Sequence, residues 1–180
     1  MKPLPSVPDI RLATVADAAA LAEIGRRTYS DTFAADNTPD DLAAFLDPTY
    51  HTELQATELA DSSLTYLVVE SENRMIAFAL IRQGKRNPCV DDPAAIELQR
   101  FYVDRSSHGT GVAQQLMTAC VDYASSCSAE TLFLGVWERN ARALRFYEKH
   151  GFRAVGTQIF RVGSDDQTDV VMARSLTRRD

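Results

Sequence analysis

The chain holds 180 residues, 45% of them hydrophobic, with 25 acidic against 19 basic side chains and a net charge of −6. That size favours one well-buried core over two, and no apolar run approaches the roughly 20 residues that span a bilayer. The acidic balance argues against nucleic acid as the main partner, because phosphate backbones recruit basic patches, and it suits a cationic ligand.

In chain order, MKPLPSVPDI lacks the charged and then apolar pattern of an export signal, so a cytoplasmic protein is expected. A strand is predicted over Asp9–Ala13 and a helix from about Val15 to Tyr29, with Thr14 as its cap. A second helical stretch begins near Pro39, where proline suits a first turn, and a short helix near Glu53–Ala60 follows. Strands Thr65–Glu70 and Arg74–Arg82 flank the hairpin-like Ser71-Glu72-Asn73, and the polar stretch Gln83–Pro93 is rich in turn formers. The cluster Asp31, Asp36, Asp40 and Asp41 reads either as a solvated face or as a cation site.

The apolar run Ala95–Asp104 ends at a glycine pair, Gly109 and Gly111, leading into a helix with Val112, Leu116, Ala119 or Cys120, and Tyr123 on one face. Free amides at a helix start carry partial positive charge, so strand, Gly-x-Gly and helix in that order form a cradle for an anion such as a pyrophosphate. A tight strand-to-helix connection without a ligand is the other reading.

A strand over Thr131–Val136 then runs into a helix opened by Asn140 as N-cap, with Ala141, Leu144 and Tyr147 on one face. Gly151 stops that helix, Phe152 folds back onto its last turn, and a hairpin spans about Arg153–Ser175. Cys89, Cys120 and Cys127 are odd in number and not spaced like zinc ligands, and His51, His108 and His150 are scattered, so no metal site is expected. Trp137 either lines a cleft or packs the sheet, packing being the default.

Together the two glycine-closed stretches resemble the paired signature of the GNAT superfamily, the acetyl-CoA-dependent N-acetyltransferases. In the run N-x-x-A-x-x-F-Y-x-x-x-G-F the chain supplies Asn140, Ala143, Phe146, Tyr147, Gly151 and Phe152 in register. The runs ELQRFYV, LGVWERN, TYSDTFAADNTPDDLAAFL and the closing GFRAVGTQIFRVGSDDQTDVVMARSL are similar to the PaiA branch, which includes bacterial spermidine and spermine N-acetyltransferases. Two positions depart from the pattern. The phosphate loop carries Ser106, Ser107 and His108 where the family usually has a cation, with Arg105 next door as the compensating charge, and Gln158 stands where the branch often has His.

The resemblance implies a single GNAT domain over residues 1–180. Its fold class is α/β (α+β): a mixed, mostly antiparallel sheet of about seven strands flanked by helices, with a splayed parallel pair holding acyl-CoA. It implies acetyl-CoA as cosubstrate, no metal, and direct transfer to a primary amine, with polyamines first among acceptors. Tyr147 is expected as general acid on the first turns of the last helix, and Glu97 as base, directly or through water. Glu97 otherwise reads as a strand-end carboxylate exposed or paired with an arginine such as Arg100. The backbone of Phe101 and Val103 would hold the pantetheine arm, and the amides of His108, Gly109, Thr110, Gly111, Val112 and Ala113 the pyrophosphate. Asn140 would cap its helix or contact the cofactor. Asp31 and Asp36 would attract the acceptor from a segment that closes over it. The exposed apolar residues of the final hairpin fit the homodimers common in the superfamily. Alternatives are an amino-acid, antibiotic or protein-amine acetyltransferase, and a non-catalytic acyl-CoA-binding regulatory module.

Overall fold

The computed structural model describes residues 8–176. Of the export-signal reading, residues 1–7 therefore lie outside the described part of the chain.

Two strands are buried on both faces and mark the centre of the molecule: β2 (Leu64–Ser71) and β3 (Arg74–Arg82). Glu72 and Asn73 join them, both with positive φ (53° and 59°), the backbone of a tight two-residue hairpin. With β1 (Asp9–Leu12), β4 (Ile96–Val103), β5 (Thr131–Trp137), β6 (Arg153–Val162) and β7 (Asp165–Ser175) they form one seven-stranded sheet in the order β1-β2-β3-β4-β5-β7-β6. Every pairing is antiparallel except β4 with β5.

Helices cover both faces. A short 3-10 turn at Val15–Asp17, where the Asp17 carboxylate accepts the Thr14 backbone N–H at 2.7 Å, leads into α1 (Ala18–Phe33). The α2 helix (Pro39–Thr49) follows, its cap Thr38 accepting from the Asp41 N–H at 3.2 Å, and then α3 (Thr52–Ala60). This layer buries Leu21, Ile24 and Leu46 against Val68, Phe78 and Leu80. On the other face α4 (Val112–Ser126) and α5 (Ala141–Lys149) bury Leu116, Cys120 and Tyr147 against Ala79, Leu98 and Leu134. Each large aliphatic side chain removed from water contributes about 1.5–3 kcal/mol.

The first helix runs four residues beyond the predicted Tyr29 because its apolar face continues. Tyr29 packs on Phe33 at 4.5 Å and stacks on Phe45 of α2 at 4.3 Å, and that packing outweighs the polar residues Ser30 and Asp31. In α5 the buried face differs from the predicted one. Ala141 is exposed, and the helix buries Tyr147 with Ala143, Leu144 and Phe146 partly covered. Tyr147 stands two residues from the helix end, in its last turn and not in its first turns.

Candidate active site

The pairing between β4 and β5 is confined to Ile96 opposite Leu132 and Glu97 opposite Phe133. On the β3 side, Leu80 faces Arg100 while Ile81 faces Leu98, so Gln99 is an extra residue that bends β4. Beyond Glu97 the parallel strands diverge, and a cleft of about 600 Å³ opens between the two helical layers. Phe101, Phe146 and Tyr147 line it on the α5 side; Tyr29, Phe33 and Trp137 line it on the α1 side.

At the end of β4 the chain turns over Asp104, a buried carboxylate that accepts from Ser106 N–H (3.0 Å) and hydroxyl (2.8 Å) and from Arg27 (2.9 Å) and Arg74 (2.8 Å). The loop then passes through Gly109 (φ 78°) and Gly111 (φ 91°). A Cβ at either would meet nothing within 4 Å, so the left-handed backbone, not crowding, calls for glycine. Gly111 caps α4 without a side chain, which leaves the first amides of the helix, at Val112 and Ala113, open. His108 bridges the loop to its surroundings: Arg142 Nη1 donates to its Nδ1 at 3.0 Å, so Nε2 carries the proton it donates to the Val103 carbonyl, also at 3.0 Å. Open amides, a guanidinium beside the loop and a strand splay fit the phosphates and extended arm of an acyl-CoA.

Tyr147 is 9% exposed and wedged edge-on among Phe101 (6.3 Å), Phe146 (5.5 Å) and Phe152 (5.7 Å). Burial pushes its hydroxyl pKa up, so it keeps a proton to give. Glu97 lies in the same cleft at the apex of the splay, and its Oε2 is buried with no hydrogen-bond partner. Burial raises its pKa, against the opposing pull of Lys85 and Arg82. Arg100 does not pair with it. The guanidinium turns instead to Glu58 (2.8 and 3.0 Å) and the Tyr66 hydroxyl (2.6 Å).

A second buried carboxylate, Asp169 of β7, also lines the cleft. Desolvation raises its pKa to about 6, opposed by a hydrogen bond from Gln158. Both side chains lie over Gly135 of β5, where any Cβ would meet Gln158 Nε2 at 2.5 Å and Asp169 Oδ2 at 3.0 Å.

The family model described as acetyltransferase (GNAT) family matches residues 25–152. The chain belongs to the GNAT family. An uncharacterised N-acetyltransferase of Mycobacterium bovis is 32% identical over 160 residues, covering 89% of this chain and 98% of that protein. The spermine/spermidine N(1)-acetyltransferase of Bacillus subtilis is 28% identical over 60 residues, covering 33% of this chain and 40% of its own. Among solved structures, the PaiA N-acetyltransferase from Thermoplasma acidophilum in complex with coenzyme A superimposes with a TM-score of 0.78 at 19% identity, covering 94% of this chain and 99% of that one. The seven-stranded sheet with its splayed β4–β5 pair is thus the GNAT fold, and the enzyme class is acetyl-CoA-dependent N-acetyltransferase.

Within this GNAT fold the structure brings Tyr147, Glu97, Phe101, Val103, His108, Gly109, Gly111, Ala113 and Asn140 to one cleft. Val112 turns its side chain into the core and offers only backbone, whereas Thr110 turns both its hydroxyl (2.7 Å) and its N–H (3.4 Å) back to the Ser107 carbonyl, and the His108 N–H likewise bonds the Arg105 carbonyl at 3.3 Å, so these two amides expected to meet the phosphates are taken up within the loop. Asn140 caps α5, its Oδ1 accepting from Ala143 N–H at 3.1 Å, and lines the cleft as well. Asp31 and Asp36 are exposed and face a separate cavity of about 350 Å³ that adjoins the cleft at Phe33 and Trp137. Arg105 lines only that cavity, whereas Arg142 lines both and bonds His108 of the glycine loop, so the guanidinium beside the loop is Arg142, which sequence reasoning missed. Trp137 does line the cleft, edge-on to Phe33 at 6.0 Å. Asp169 was also missed: it pairs with Trp137 and shares a face of β7 with Val171, the partner of the bare Gly135.

Proposed function

We propose that the enzyme acetylates a primary amine of a polyamine such as spermidine or spermine, with Tyr147 as general acid and Glu97 as base. One observation carries this reading: an unpaired buried carboxylate oxygen and a buried tyrosine hydroxyl share the cleft at the strand splay. The partial likeness to a spermine/spermidine acetyltransferase supports the acceptor class.

A primary amine arrives protonated, since its ordinary pKa lies near 10. Glu97 takes one proton, directly or through water, and its raised basicity suits the task. The freed nitrogen lone pair attacks the thioester carbonyl carbon, the carbon–sulfur bond breaks, the departing sulfur receives the Tyr147 proton, and the second proton, shed by the nitrogen as the amide forms, restores the Tyr147 hydroxyl. The backbone of Phe101 and Val103 holds the pantetheine arm. The amides of Gly109, Gly111, Val112 and Ala113, with Arg142 beside them, hold the pyrophosphate, and Asn140 orients the start of α5 against it. Asp31 and Asp36 would meet an ammonium of the acceptor within the adjoining cavity, whose other walls carry Arg105, Arg139 and Arg142. Exposed Val155 and Ile159 on edge strand β6 support a homodimer, and a soluble enzyme of the cytoplasm is the setting in which both substrates would meet.

Coenzyme A release from acetyl-CoA, followed against polyamines, amino acids and lysine peptides with a no-acceptor control, tests the proposal. Saturable release with spermidine or spermine is expected. Turnover confined to amino acids or peptides would replace the acceptor, and acetyl-CoA binding without turnover on any amine would favour a regulatory acyl-CoA-binding module.

A further inference from the structure

Asp169 stands one strand beyond the splay, in the spatial order β4, β5, β7, about 4.8 Å further along the sheet. It is 8% exposed, and its carboxylate leans back over Gly135 toward the cleft. Gln158 reaches the same bare patch from β6, and its orientation is fixed from behind. Asn87 Nδ2 donates to Gln158 Oε1 at 2.8 Å, so the Gln158 amide N–H groups face the carboxylate. Asn87 is itself held in its turn, its Oδ1 accepting from Cys89 N–H at 2.9 Å.

The two cleft carboxylates differ in their electrostatic company. Glu97 has Arg82 and Lys85 close enough to stabilise its charge, and these would repel a cation that lingers there. Asp169 has only a neutral amide for support, and among the described residues no cation contributes to its charge state. Tyr29, Trp137 and Phe160 border the cleft around it, offering aromatic surface to methylene groups and to an alkylammonium.

We propose that Asp169 is a specificity-determining residue that anchors a second ammonium of the acceptor, one that is not acetylated, so that the enzyme selects diamines and longer polyamines over monoamines. This rests on the amine-acetyltransferase reading above. Glu97, on the strand bordering the splay, faces the nitrogen that reacts, and Asp169 holds the charge that stays.

The test compares kcat/KM for an alkyl diamine and for the monoamine of equal chain length, in the unmutated enzyme and in Asp169→Asn, with acetyl-CoA binding as the check on folding. The unmutated enzyme is expected to prefer the diamine by at least about tenfold, and the variant to lose most of that preference. A preference that survives in a folded variant overturns the assignment. Should the variant not fold, the same ratio is read in the unmutated enzyme across pH. It should fall as pH drops through about 6, where Asp169 takes up a proton. The other ionisable groups facing the cleft do not mimic this. Tyr29, Tyr102, Tyr147 and Arg100 keep their protons throughout, Glu97 with its neighbours Arg82 and Lys85 acts at the reacting nitrogen that both amines share, and His108 with Arg142 lies at the loop that meets the common cosubstrate, so all of these cancel in the ratio. A ratio constant with pH overturns the proposal. Acetylation of neither amine would overturn the proposed function itself.

Discussion

Asp41, in the first turn of α2, accepts hydrogen bonds from the backbone N–H and the hydroxyl of Ser164 at 2.7 and 2.9 Å, tying the α1–α2 corner to the tip of the β6–β7 hairpin. Gln167 adds a second tie by donating to Asn37 Oδ1 at 2.8 Å. Both segments carry residues that line the cleft, Phe33 of α1 and Phe160 of β6, joined through the rings of Tyr29 and Phe45. Asp41→Ala is therefore expected to raise the acceptor KM several-fold with little change in the KM for acetyl-CoA. Steady-state kinetics in both substrates checks this, and an equal rise in the two would remove the tie from acceptor binding.

Tyr147→Phe keeps the ring that packs on Phe101, Phe146 and Phe152 and deletes the hydroxyl. Turnover should drop by about 10²-fold or more, the usual size of a lost general acid. Acetyl-CoA affinity, read by titration, should barely move. Full turnover in the variant would take Tyr147 out of the chemistry.

Gly111→Ala puts a side chain at φ 91°, a strain on the order of 1–2 kcal/mol. Nothing crowds the new methyl, so the backbone and its open amides bear the effect. The expected result is weaker acetyl-CoA binding at nearly unchanged acceptor KM. Unaltered affinity would mean that the phosphates lie elsewhere.

For Glu97 the sign runs against stability at neutral pH. Burial raises its folded pKa above the ordinary value, so the stability it contributes is fully present below the unfolded pKa and is lost as pH rises through the folded one. Glu97→Gln should raise the melting temperature at neutral pH, the gain disappearing in acid, while turnover falls by about 10²-fold. A melting temperature that drops at neutral pH would show that the carboxylate is structural.

Arg100 is buried against Glu58, Tyr66 and the Tyr50 ring, whose centroid lies 5.2 Å from its guanidinium carbon. Glu58→Ala strands that cation, a loss of about 3–5 kcal/mol. Chemical denaturation measures it directly, and a change below about 1 kcal/mol would mean that water reaches the guanidinium.

Much of this architecture could be read from the sequence because it rests on local signals. The glycines at 109, 111 and 151, the cap at Asn140 and the hairpin at Glu72-Asn73 each need a particular backbone, and β3 begins and ends where its apolar run does. The acceptor side was less legible, because it is assembled from residues far apart in the chain. Asp169, Gln158 and Asn87 meet only once β7, β6 and the β3–β4 connection fold over Gly135. Asp31 and Asp36 illustrate the converse, since charge and position near the first helix told nothing about which of two adjoining cavities they face. Arg142 escaped notice for the same reason: its partner His108 lies 34 residues away.

The central claim is that this cleft moves an acetyl group from acetyl-CoA to an amine. The most direct measurement incubates the enzyme and acetyl-CoA with an equimolar mixture of polyamines, amino acids and lysine peptides and identifies products by mass spectrometry. The account predicts an N-acetylated polyamine as the dominant product, formed in step with coenzyme A release and much more slowly with Tyr147→Phe. Bound acetyl-CoA with no acetylated amine of any kind would contradict it.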